Sequence, residues 1–196
     1  MENAFASQNL TAGQLNAIVK NLGGEEGALK FLRGELTVQP VVIPKPVPEL
    51  PLDFLVRVDR SVKPTYPDWF KELEHPELEL TGPAEYDLNT VGLWLHDDQR
   101  NGVVVGNTIY EHLKKYNALA SCLNLQDGLA IQAKGIAVFR KLFADKAVFL
   151  WGSVVQYRVG NLNVPYLCED GGRVVVIWNW LDGSFSSGRP ALRFGK

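Results

Sequence analysis

The chain is poor in sulfur and histidine and carries no excess of either charge. Its two cysteines, Cys122 and Cys168, form no closely spaced pair. That removes a disulfide-dense scaffold and a zinc knuckle, both of which need several ligands at short spacing. Their contexts are unlike, so a reduced intracellular protein with free thiols is favoured over a bridge between them. The three histidines, His75, His96 and His112, never stand at the i, i+4 spacing of a helical metal site. A formal charge of −2 provides no basic face of the kind nucleic acid requires. No run approaches the roughly 18 apolar residues of a membrane span. The opening MENAFASQNLTAGQ has no basic stretch leading into an apolar one, so no secretory signal is expected and the cytoplasm is the expected location.

Catalytic signals are equally sparse. His96-Asp97-Asp98 precedes a turn and reads as a solvated corner rather than a cation site. Glu169 and Asp170 beside Cys168 oppose thiolate formation, the reverse of what a nucleophilic thiol needs. Gly171-Gly172 reads as a hairpin turn, because no helix follows it to make a phosphate cradle. Neither an enzyme nor a cofactor or metal is expected from these residues.

What is present is a globular composition, 46% apolar and 21% charged over 196 residues, enough for one core plus an appendage. Residues 1–38 read as a helical hairpin. Thr11 and Gln14 form a capping box, Leu15, Ile18, Val19 and Leu22 share a face, and Gly23-Gly24 ends the first helix. A second short helix carries Leu29, Phe31 and Leu32. A hairpin this short is marginal alone, so a partner or a second copy is expected through residues 10–36. Residues 39–51 contain Pro40, Pro44, Pro46, Pro48 and Pro51 and read as a stiff, extended linker.

Residues 52–196 read as an α+β domain. A strand is predicted over 53–59, an irregular stretch over 61–83, a strand over 91–95 and a turn over 97–102. Helices are predicted from Asn107 or Thr108 to Tyr116 and over 125–143, then a central strand over 147–151. Short antiparallel strands follow, ending at residues 192–194. In the tail, large apolar residues (among them Val164, Leu167, Val174, Trp178, Trp180, Leu181 and Leu192) alternate with a chemically mixed set. The set is Tyr157, Val159, Asn161, Asn163, Cys168, Ile177, Asn179, Asp182, Ser184, Phe185, Ser186, Gly188 and Arg189. No triad, metal set or phosphate cradle unites them. All are reachable when the first two bases of an AAC codon are randomised, whereas Trp, Met, Lys, Gln and Glu are not. Alternation places Leu162 and Val164 inward with Asn161 and Asn163 outward, and sets Ile177 and Asn179 opposite Val176, Trp178 and Trp180.

The run VVQYRVGNLNVPYLCEDGGRVVVIWNWLDGSFSSGRPALRF resembles the variable C-terminus of diversity-generating-retroelement target proteins. The upstream segments VDRSVKPTYPDW, HPELE, TGPAEYDL, WLHDDQRNG, IYEHLKK and LQDGLAIQAKGIAVFRKLF extend the likeness over residues 52–196. The resemblance implies a C-type-lectin-like domain with two helices and a twisted sheet of short strands. It also implies a variable region at about 154–190, in which adenine-specific mutagenic reverse transcription rewrites the mixed set to bind a changing ligand, a protein being the expected kind. Two departures stand out: Phe185 occupies a place where a Trp is expected, and the chain closes Gly195-Lys196 rather than on two small residues. The rival readings are an enzyme on the related formylglycine-generating scaffold, which would need paired reactive cysteines or a metal, and an adaptor acting through the N-terminal hairpin.

Overall fold

A computed structural model describes residues 10–38 and 51–195; the linker expected at 39–51 therefore lies, but for Pro51, outside the described residues. The chain divides into two units, residues 1–49 and 50–196.

In the first unit, α1 (Ala12–Asn21) and α2 (Gly24–Leu32) form the expected hairpin. The Thr11 hydroxyl accepts from Gln14 N at 3.3 Å, and the Gln14 side chain accepts from Thr11 N at 2.8 Å. Gly23 and Gly24 sit at φ 92° and 84°, the left-handed region that turns the chain between the helices. Neither helix buries a residue, and Leu15, Ile18, Leu29 and Phe31 are all exposed.

The second unit is α+β. It contains β1 (Leu55–Arg57), β2 (Phe70–Leu73), β3 (Glu85–Asp87), β4 (Gly92–Trp94), α3 (Asp97–Asn101), β5 (Val103–Val105) and α4 (Gly106–Lys115). It continues with α5 (Leu125–Ala133), α6 (Ile136–Phe143), β6 (Val148–Phe149), β7 (Val155–Tyr157), β8 (Leu162–Asp170), β9 (Arg173–Trp180), β10 (Ser184–Ser186) and β11 (Ala191–Arg193). The main sheet runs β2-β7-β8-β6-β11-β4, with β9 added beside β8. All its pairings are antiparallel except β11 with β6. Two small ladders, β1 with β3 and β10 with β5, complete the described strands.

Alternation along the central strands sends successive side chains into two apolar layers. Val148, Leu150, Leu167 and Leu192 join Val56, Leu88, Ile131 and Phe139 on the side covered by α5 and α6. Phe149, Trp151, Val164 and Ala191 join Ile109, Leu113, Leu181 and Phe185 on the side of α4. The sheet is thus a wall with a core on each face.

Several sequence expectations need correction here. The single helix expected over 125–143 is two helices, because Gly135 at φ 85° turns the chain between them. The irregular stretch 61–83 contains β2, held by pairing with β7 rather than by any alternation of its own. The turn expected over 97–102 is the short helix α3, capped by the His96 ring, whose Nδ1 accepts from Asp98 N at 3.3 Å.

A polar clamp ties the long 59–83 loop to α5. Asn124 Nδ2 donates to the carbonyls of Leu78, Glu79 and Thr81 at 2.9, 3.0 and 3.2 Å, while Arg60 donates to Asp127 at 2.5 Å. Asp127 is fully buried. Burial pushes its carboxyl up from the usual range, and the Asn124 amide and Arg60 guanidinium pull it back.

Tight packing also fixes the start of α4. A Cβ on Gly106 would lie 2.5 Å from Phe185 Cε2 and 2.7 Å from the Leu181 carbonyl oxygen. Gly106→Ala is expected to cost about 1–3 kcal/mol by overpacking, read as a lowered urea midpoint at unchanged slope.

Candidate functional site

The β8–β9 hairpin is the foundation of the site. Gly171 and Gly172 have φ values of 54° and 75°, the doubly left-handed turn whose twist suits two tightly joined strands. The resulting register pairs Val164 with Asn179, Tyr166 with Ile177 and Cys168 with Val175. Directly paired residues share a face, so Cys168, Ile177 and Asn179 project on the α4 side. Leu167 and Val176 project on the α5–α6 side, and Trp178 and Trp180 follow them there. The expected opposition of Ile177 and Asn179 to Val176, Trp178 and Trp180 matches this register.

The loop after β9 is laid across the same α4 side and fastened at several points. Gly106 N donates to Gly183 O at 3.0 Å, Asn107 N to Leu181 O at 2.9 Å, and Asn107 Nδ2 to Asp182 Oδ1 at 2.7 Å. Gln99, only 1% exposed, donates through Nε2 to the carbonyls of Ser186 and Arg189, both at 3.1 Å. In β10, Phe185 points into the core, so Ser184 and Ser186 on either side of it point away. Arg189 donates to Ser184 O at 2.9 Å and lies 5.8 Å from the Phe185 ring centroid. Under the patch, Phe149 stacks on Tyr166 and tilts against Phe185, each at 4.8 Å between centroids. The patch is a shell of small and polar side chains over a rigid aromatic floor.

Of the mixed set, the structure brings Cys168, Ile177, Asn179, Ser184, Ser186 and Arg189 together on this side. Asp182 is exposed in the β9–β10 loop and Gly188 partly so in the β10–β11 loop. Val159 and Asn161 occupy the β7–β8 turn, at the same end of the sheet, since Leu181 N donates to Leu162 O.

Three members do not belong to the patch. Phe185 is fully buried among Phe149, Trp151 and Ile109, so it is a core residue and not a ligand contact. Asn163 is 2% exposed, although alternation suggested an outward position; it lies between Val155 on one neighbouring strand and Trp180 on the other. Tyr157 is half-buried on the opposite face, with its ring 5.3 Å from Trp69 and 5.7 Å from Trp180. Trp180 also departs from expectation: read as a buried frame residue, it is 45% exposed, because β9 is an edge strand with no neighbour on its outer side.

Burial, followed by the Asp170 carboxylate, pushes the Cys168 thiol up from its ordinary value, so it stays protonated at neutral pH. Burial pushes the Cys122 thiol up to about 12, and it faces no ligand surface. Among the described residues no three His, Cys, Asp or Glu side chains gather where they would hold a metal ion. Nor is any described helix long and apolar enough to cross a membrane. The fastening residues Gln99, Gly106 and Asn107 were not singled out from sequence for this role. His96 and Gln99 do have capping-box spacing, which would reveal α3, but no local signal points Gln99 at carbonyls far along the chain.

No family model, no curated protein and no solved structure matches this chain.

Proposed function

We propose that this is a non-catalytic ligand-binding protein with a C-type-lectin-like domain, whose α4-side patch is rewritten by adenine-specific mutagenic retrohoming of a diversity-generating retroelement. One observation carries the reading. Residues reachable from a randomised AAC codon cluster outward at Cys168, Ile177, Asn179, Ser184, Ser186 and Arg189, above Phe149, Tyr166 and Phe185. Small and polar residues supply adaptable hydrogen bonds, Ile177 and Arg189 supply contact area, and the fastened backbone lowers the ordering cost of binding. Val159, Asn161 and Asp182 extend the changeable surface; Gly188 belongs to its rim. Buried Phe185 and Asn163 are left out.

Neither described thiol is lowered toward the thiolate, so the cysteines lend no support to the enzyme reading. The ligand is of the kind a paratope takes, a protein surface. The exposed apolar residues of α1 and α2 support a separate contact through residues 10–36, with a partner or a second copy.

Sequencing the DNA around the gene tests the proposal. A near-copy of its 3′ end is expected beside a reverse-transcriptase gene, differing from it only where the template has adenine. A locus with neither feature would contradict diversification. A second test concerns the surface itself: the triple change Ile177→Ala, Asn179→Ala, Ser184→Ala is expected to shift unfolding by no more than about 0.5 kcal/mol per site. A cooperative loss of several kcal/mol would instead make the patch structural.

A further inference from the structure

The other face of the β8–β9 hairpin carries a groove of about 460 Å³, bounded by Trp69, Tyr157, Trp178 and Trp180 with Asn163 among its lining residues. We propose that this groove binds an extended, proline-rich segment of a partner protein. The inference goes beyond the changeable patch, which shares only Ile177 with the groove lining, and does not depend on it.

Five observations point to that ligand chemistry. The rings of Trp69, Tyr157 and Trp180 follow one another at centroid distances of 5.3 and 5.7 Å, inclined by only 35° and 34°. Trp178 stands edge-on to Trp69, at 89° and 5.3 Å. Such an arc offers ring faces and clefts on which flat, apolar pyrrolidine rings pack well. No lining residue is charged, so neither a basic nor an acidic peptide gains from it.

The groove also holds hydrogen-bond donors in want of acceptors. Asn163 is almost wholly buried, and its Nδ2 has no hydrogen-bond partner, a state that buried amides seldom keep. Trp178 stands opposite Pro165, whose carbonyl turns away from β9 to accept from Leu150 N. In such an antiparallel pair the main-chain groups of both residues point outward, so the Trp178 N–H faces the unpaired edge of β9. A polyproline II segment has free carbonyls and few N–H groups of its own, which suits donors without importing new unpaired ones. A sugar would bring many hydroxyls to a lining whose polar side-chain groups are one amide, one phenol and three indole N–H groups, and the hydroxyls in excess would lose water without replacement.

Trp69, Trp178 and Trp180 lie outside the codon-reachable set, so the indole rings of this groove stay constant, whereas Tyr157, Asn163 and Ile177 of its lining belong to that set.

The test is fluorescence polarisation of fluorescein-labelled decaproline with the full chain, and with cellohexaose as the competing probe. Saturable binding of decaproline is expected, weakened about tenfold or more by Trp180→Ala, as for a central aromatic anchor. Asn163→Leu is expected to weaken binding while holding or raising the melting temperature, because it removes an unpaired donor; a merely structural asparagine would not separate the two readings. Glu111→Ala, at an exposed position of α4, is expected to leave binding unchanged. No saturable decaproline binding, equal binding by the Trp180 variant, or capture of cellohexaose in place of the peptide would each overturn the inference. None of these results bears on the presence of a template repeat, so the two proposals fail separately.

Discussion

Phe185→Ala is expected to destabilise the second unit by about 3–5 kcal/mol, the range for truncating a buried aromatic. The ring is fully buried, lies 4.8 Å from Phe149 and 5.7 Å from Trp151, and fills the space beside Gly106. Its loss would leave a cavity under β10 and slacken the ladder between Ser184–Ser186 and Val103–Val105. Denaturant unfolding followed by tryptophan fluorescence measures the effect. The neighbours Ser184 and Ser186 flank Phe185 in the strand but face outward, so their replacement is expected to change stability little. A three-residue strand with one indispensable and two dispensable positions separates the aromatic floor from what it displays.

The second large effect is expected at Asp127. Asp127→Ala removes the partner of Arg60, whose side chain is only 13% exposed, and deprives Asn124 N of its acceptor at 3.0 Å. Breaking one side of a buried ion pair leaves the other charge uncompensated and costs about 3–5 kcal/mol. Arg60 Nε already lacks a partner, and without Asp127 the guanidinium keeps only neutral acceptors, Asn124 Oδ1 at 3.3 Å and the Pro83 carbonyl at 2.9 Å. The loop over residues 59–83, including Trp69, is expected to loosen with it. Hydrogen exchange at the Leu78, Glu79 and Thr81 region would register that release before global unfolding. Asp127→Asn, which keeps the shape and one acceptor, is expected to fall between the two.

The parts of this fold legible in sequence were those with local causes. Thr11 and Gln14 announce a helix start, Gly171-Gly172 a tight hairpin, and the alternation through residues 176–180 assigns Ile177 and Asn179 to one side. What escaped depends on partners distant along the chain. Arg60 and Asp127 carry no mark of their pairing, since the loop and α5 meet only in the folded domain. The strand Phe70–Leu73 exists because β7 offers it an edge. The size of Trp180 suggests an inward position, yet its strand lies at an edge, and size alone does not reveal an edge. The polarity of Asn163 suggests an outward position, but this part of β8 is covered on both faces, where alternation no longer separates inside from outside. Codon reachability does not separate Phe185 from the changeable residues, whereas the sequence Ser-Phe-Ser in a strand marks it as the inward residue.

The central claim is that a rigid aromatic floor carries replaceable side chains on the α4 side. Its most direct test is a display library in which Cys168, Ile177, Asn179, Ser184, Arg189 and, in a parallel pool, Phe185 and Leu181 are each randomised and sorted for protease resistance. The expected result is broad tolerance at the first five positions, with nearly every residue type recovered, and recovery of only large apolar residues at Phe185 and Leu181. Equal intolerance across both pools would contradict the account.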